Sequence, residues 1–184
     1  MKNKALGALF LYNGIFVGAA AMLGPLYAIY VVKFVDGVMA VSISWAAFLV
    51  STSVFIYFVS KNGDSIKEKK YLLLMGIIIR TLSWILLIFV HSLVTLVLVQ
   101  ILLGLGEALG SPSFNALFAE HLDKNKHIKE YSNWLLISNL VSAAGILAGG
   151  VIVNSFGFKV LFLFMVFLSL ISFFGILLKP RKLL

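Results

Sequence analysis

The feature that most constrains this chain is the run of its apolar residues. They fall into six blocks, each long enough to cross a hydrocarbon core, which takes about 20 helical residues. The blocks cover residues 5–32, 38–59, 71–90, 92–119, 131–154 and 159–178. Within them apolar residues continue without the strict alternation of a barrel strand, so each is expected to be a helix. Of 184 residues, 61% are hydrophobic and only 12% charged, too few polar side chains to cover a water-facing surface. The expectation is a single all-α transmembrane domain over residues 1–184, with no separate soluble domain. The first block follows Lys2 and Lys4 as a signal peptide would, but it is too long and lacks a small-residue cleavage site, so it is read as a retained helix.

A formal charge of +8 on a soluble protein would suggest nucleic acid, and the placement of the charges argues otherwise. Lys2 and Lys4 precede the first span. Lys61, Lys67, Lys69 and Lys70 lie between the second and third, Lys124, Lys126 and Lys129 between the fourth and fifth, and Lys179, Arg181 and Lys182 after the sixth. In a six-span topology these twelve fall on one side, against Lys33 and Lys159 on the other. By the positive-inside rule the basic side is cytoplasmic, with both termini. The lipid bilayer is the expected partner of these clusters, nucleic acid is not, and the cell (inner) membrane is the expected location. The chain has no cysteine, which removes disulfides, thiolate catalysis and cysteine metal sites together.

Spans one and four resemble each other. GAAAMLGPLYAIY (18–30) and GEALGSPSFNALF (106–118) each carry spaced glycines, a proline and a following aromatic, so that Gly24 with Pro25 matches Gly110 with Pro112. Three helices followed by three similar ones run in opposite senses, because an odd number of crossings reverses the start. The expectation is two inverted three-helix repeats, with helix interruptions or hinges at these four residues.

The polar connections and the fifth span carry a family resemblance. Between spans two and three, Ser60, Asp64, Ser65, Lys67, Glu68 and Lys69 occupy the positions of a GxxxDRxGRR motif and keep part of it. Gln100 stands where the fourth span would carry the arginine of RxxxG. GILAGG (145–150) parallels GPxxGG with Ile146 in place of proline, and FGFKVLF (156–162) is close to FGWRWVF. In order and spacing the chain resembles the amino-terminal six-helix half of the major facilitator superfamily. That resemblance implies one half of a twelve-helix fold, a cavity between two halves, and therefore pairing of two six-helix chains. A homodimer is expected, or a heterodimer with a second six-helix chain. It also implies a cytoplasmic loop gate in which Asp64, Lys69 and Lys70 latch neighbouring helices.

Arg80 and Glu107 are the ionisable residues deep inside spans, where a charge costs about 2.5–3.5 kcal/mol even on the milder scales. They are the candidates for proton coupling, with Glu107 binding the proton and Arg80 responding to it or to an anionic substrate. A structural ion pair between spans three and four is the competing reading. Tyr12, Asn13, Gln100 and Asn115 are candidate substrate-pathway contacts. Gly145, Gly149 and Gly150 are candidate helix-packing positions, as are Gly14, Gly18 and Gly106. Trp134, Tyr71, Tyr131, Tyr27 and Tyr30 are expected in interfacial belts. His91, His121 and His127 are read as loop residues without metal-site spacing.

No phosphate-binding glycine loop, nucleophile elbow or zinc signature is present, so neither an enzyme nor a cofactor is expected. Two readings follow. One is a secondary active transporter that moves a small-molecule substrate by alternating access, coupled to an ion, and works as a dimer. The alternative is a non-transporting membrane scaffold or accessory subunit with the same fold.

Overall fold

The computed structural model describes residues 4–35, 37–63 and 68–179. Among them every regular element is helical: α1 (Lys4–Ala21), α2 (Leu26–Phe34), α3 (Val38–Asn62), α4 (Lys69–Leu87), α5 (Leu93–Glu120), α6 (His127–Phe156) and α7 (Phe158–Leu177). Six of the seven are long and apolar enough to cross a membrane, all but the short α2. The bundle therefore has the expected six membrane-length helices.

The first apolar block, 5–32, is divided into α1 and α2, and Gly24 and Pro25 lie in the connection between them. Pro25 has no amide to donate and its ring disfavours the helical carbonyl four residues back. The chain tightens instead, with Gly24 N bonding Ala21 O at 3.1 Å and Tyr27 N bonding Gly24 O at 3.2 Å. Pro112 has no such effect. It lies inside α5, which runs unbroken from Leu93 to Glu120, so the interruption expected at Gly110 and Pro112 is not seen. One missing amide is tolerated in a helix of 28 residues held between α3 and α4.

The polar connections are shorter than the sequence implied. Helix α6 starts at His127, which is therefore helical rather than in a loop, and Glu130 Oε2 turns back to accept from Asp123 N at 2.9 Å. Gly157 joins α6 to α7 with φ 82° and Gly37 precedes α3 with φ 88°, both in a region that disfavours a Cβ.

The distribution of polarity is inside out relative to a soluble protein. Phe89, Val94, Leu98, Leu135, Leu147 and Phe167 face outward, while Asn13, Ser44, Ser51, Thr81, Ser83, Gln100, Ser169 and Ser172 are buried. Lipid supplies no hydrogen bonds, so side-chain polar groups turn inward and tie helices together. Thr81 of α4 meets Ser169 of α7 at 2.8 Å, and Tyr30 of α2 donates to the carbonyl of Leu87 at the end of α4 at 2.5 Å.

Glycine sets the closest crossings. Any Cβ at Gly76 would stand 2.6 Å from Gly110 N, one at Gly104 would stand 2.9 Å from Phe48 O, and one at Gly18 would stand 2.8 Å from Val141 Cγ1. Gly145 and Gly149 lie against the carbonyls of Gly18 and Met22, which joins α6 to α1. Gly150 and Gly14 have open space where a Cβ would go. The expected packing role of Gly150 is thus corrected, because the contact face of α6 passes through residues 145 and 149, one helical turn apart. Helices α3 and α6 keep the least of their surface buried within the bundle.

Candidate functional site

Helices α1, α4 and α5 converge on the two intramembrane ionisable residues. Arg80 Nη1 donates to Glu107 Oε2 at 2.7 Å, and Ser111 Oγ, one turn further along α5, donates to Glu107 Oε1. The side chains keep 20% and 27% of their exposure, so the pair is largely sheltered but not sealed. The guanidinium carbon lies 4.7 Å from the centre of the Phe16 ring and 6.0 Å from that of Trp84. Those two rings are themselves stacked at 5.5 Å. Aromatic faces recover part of what a desolvated guanidinium loses in hydration.

Two cavities meet at this cluster. One, of about 220 Å³, reaches from Arg80 towards the end of the bundle that carries the start of α4, and Asn13, Phe16, Ser111 and Asn115 line it. Phe114 and Trp134 close its side, their rings 4.8 Å apart. The other, of about 130 Å³, extends from Arg80 towards the opposite end, where Trp84, Tyr27, Trp45 and Gln100 line it. Arg80 borders both, and Phe16 and Trp84 stand one on each side.

Beyond the second cavity a buried network fixes α2. Gln100 Nε2 donates to Tyr27 OH at 2.5 Å, Tyr27 OH bonds Ser44 Oγ at 2.6 Å, and Ser44 reaches Ala40 O at 2.6 Å. Tyr27, Tyr30 and Trp134 therefore turn inward rather than forming a belt, since each hydroxyl or ring finds a partner inside the bundle. Tyr71 and Tyr131 stay exposed.

At the end that carries the start of α4, Lys69 pairs with Glu120. Lys70 is buried and donates to the carbonyls of Lys179 at 2.6 Å and Leu177 at 3.1 Å, at the end of α7. A cation there meets the negative end of the helix. Asp64 lies outside the described residues.

The structure thus brings Arg80, Glu107, Asn13 and Asn115 together and places Gln100 in the neighbouring cavity. It does not bring Tyr12 there: that ring packs on Gly175 of α7, with Lys179 Nζ 5.4 Å above it. Ser111, Phe16, Trp84 and Gly76 join the site without having been singled out. Ser111 was discoverable, since it follows Glu107 by one helical turn. Phe16 and Trp84 were not, being aromatic residues among many.

Six apolar helices of membrane length define an integral multi-pass membrane protein. The chain matches the Major Facilitator Superfamily profile over residues 5–183 and belongs to that family. It is a transporter of the major facilitator type, a family whose members are transporters rather than enzymes. No curated protein matches the chain at significant similarity.

Proposed function

We propose that this protein is a secondary active transporter that moves a small solute by alternating access, with a proton as the coupling ion. Glu107 is the proton site, Arg80 its responsive partner, and Asn13, Asn115 and Gln100 are solute contacts. The observation that carries this reading is the position of the Arg80–Glu107 pair where two cavities from opposite ends of the bundle meet. Protonation of Glu107 would release Arg80 from its partner, and so couples a charge change to the partition between the cavities.

The packing supports an inverted repeat. Exchanging α1 with α5, α3 with α6 and α4 with α7 turns the α4–α5 contact into α7–α1 and the α3–α5 contact into α6–α1, and leaves α4–α7 in place; these five contacts are present, while α6–α7 has no comparable α3–α4 counterpart. We further infer that the working unit pairs two six-helix bundles through the little-buried α3 and α6, in a homodimer. The charge distribution supports cytoplasmic termini, with Lys69, Lys70 and Asp64 at a cytoplasmic gate.

Reconstitution into liposomes with an imposed proton gradient tests the reading. Gradient-driven solute uptake that Glu107→Gln abolishes is the expected result. A well-folded dimer that accumulates nothing across a broad solute panel would identify a scaffold instead.

A further inference from the structure

We infer that the solute is a small organic anion, with a carboxylate seated on Arg80 and an apolar or aromatic body held in the larger cavity. This rests on the transporter reading above and adds the substrate class.

The charge lining the cavities is one-sided. Arg80 borders both, and among the described residues no carboxylate lines either; Glu107, bonded to Arg80 and Ser111, is not one of the lining residues. Among the described residues the guanidinium makes one hydrogen bond, from Nη1 to Glu107. A guanidinium carries more N–H donors than that bond uses, set in a planar fork that fits a carboxylate. Its remaining donors are not sealed in the bundle, since Arg80 lines both cavities, so a ligand oxyanion can reach them.

The remaining lining fits the rest of such a molecule. Asn13, Ser111 and Asn115 offer neutral polar groups beside Arg80, while Phe16, Phe114 and Trp134 offer aromatic faces. The cavity of about 220 Å³ has room for part of a small molecule. The smaller cavity repeats the pattern with Gln100 and Tyr27 as polar groups and Trp45 and Trp84 as rings. Since Arg80 borders both, the carboxylate can stay on one guanidinium while the body passes from one cavity to the other.

Benzoate, benzylammonium and benzyl alcohol share a ring and differ in charge, so they separate the alternatives. Binding to the full-length protein in detergent is read by quenching of tryptophan fluorescence, since Trp134 and Trp84 line the two cavities. Benzoate should quench saturably, with benzylammonium and benzyl alcohol at least tenfold weaker. Arg80→Gln combined with Glu107→Gln removes both charges without leaving either unpaired, and should weaken benzoate at least tenfold. Asn115→Asp places a carboxylate at an exposed cavity position and should weaken benzoate with the fold intact. Benzylammonium binding as tightly as benzoate, or benzoate binding unchanged in both variants, overturns the inference. Proton-driven uptake of neutral or cationic solutes alone would sink this inference and leave the transporter reading standing. No driven uptake of any solute would sink that reading itself.

Discussion

The aliphatic arm of Arg80 lies directly over Gly106, the residue before its partner Glu107, so that a Cβ at position 106 would stand 2.6 Å from Arg80 Cγ. Glycine is what lets α4 and α5 approach closely enough for the ion pair to form. Gly106→Ala should therefore push Arg80 off its seat. The expected loss is about 1–3 kcal/mol of stability, the usual range for overpacking, measured by unfolding in detergent, together with loss of driven uptake.

Gly149 and Gly150 are neighbours with opposite surroundings. A Cβ at 149 meets the Met22 carbonyl, while one at 150 meets nothing within 4 Å. Gly149→Ala should lower the unfolding temperature, by about 1–3 kcal/mol in stability, whereas Gly150→Ala should be neutral or stabilise by up to about 1 kcal/mol through helix propensity. Equal effects would mean that α6 does not cross α1 as described.

The Arg80–Glu107 contact makes the two substitutions non-additive. Arg80→Gln alone leaves the Glu107 carboxylate without its cation, and the double variant with Glu107→Gln does not. A double-mutant cycle should return a coupling of about 0.5–3 kcal/mol. A value near zero would show that the two charges are independently solvated.

Tyr27→Phe removes the hydroxyl that joins Gln100 to Ser44. A hydrogen bond between membrane helices is worth about 0.6 kcal/mol on average and up to about 1.7. A loss in that range is expected, and α2 should become more accessible to a label at an introduced cysteine. Ser44→Ala should have a smaller effect, since the Gln100–Tyr27 bond survives it.

Two adjacent lysines should behave differently. Lys69 pairs with the half-exposed Glu120, a contact worth about 0–1 kcal/mol and screened by salt. Lys70 is buried and caps carbonyls at the end of α7 with charge-assisted bonds, worth about 1.5–3 kcal/mol. Lys70→Met should destabilise clearly more than Lys69→Met, and only the Lys69 effect should shrink at high salt.

Much of the fold was legible in one dimension because a bilayer demands it: each crossing needs a continuous apolar stretch, and such stretches are visible without knowing their neighbours. Part of the site was legible for the same reason, since Arg80 and Glu107 stand out against apolar surroundings. Proline was a poorer guide. Pro25 and Pro112 look alike in sequence, yet one divides a span and the other rides inside a helix, because neighbouring helices hold α5 along its length.

Aromatic residues were the least legible. Tyr12 was expected in the pathway and lies on Gly175, while Trp134 and Tyr27 were expected at the lipid interface and line cavities. A side chain near a span end can turn to lipid or to protein, and only the rotation of its helix, set by where glycines allow close approach, decides between them. The sequence by itself determined the number of membrane-length helices and the presence of two charges inside spans, both consequences of what hydrocarbon excludes. Only the tertiary structure decided that these charges meet, that Phe16 and Trp84 flank them, and that a cavity lies on either side, because those relations depend on contacts between helices far apart in the chain.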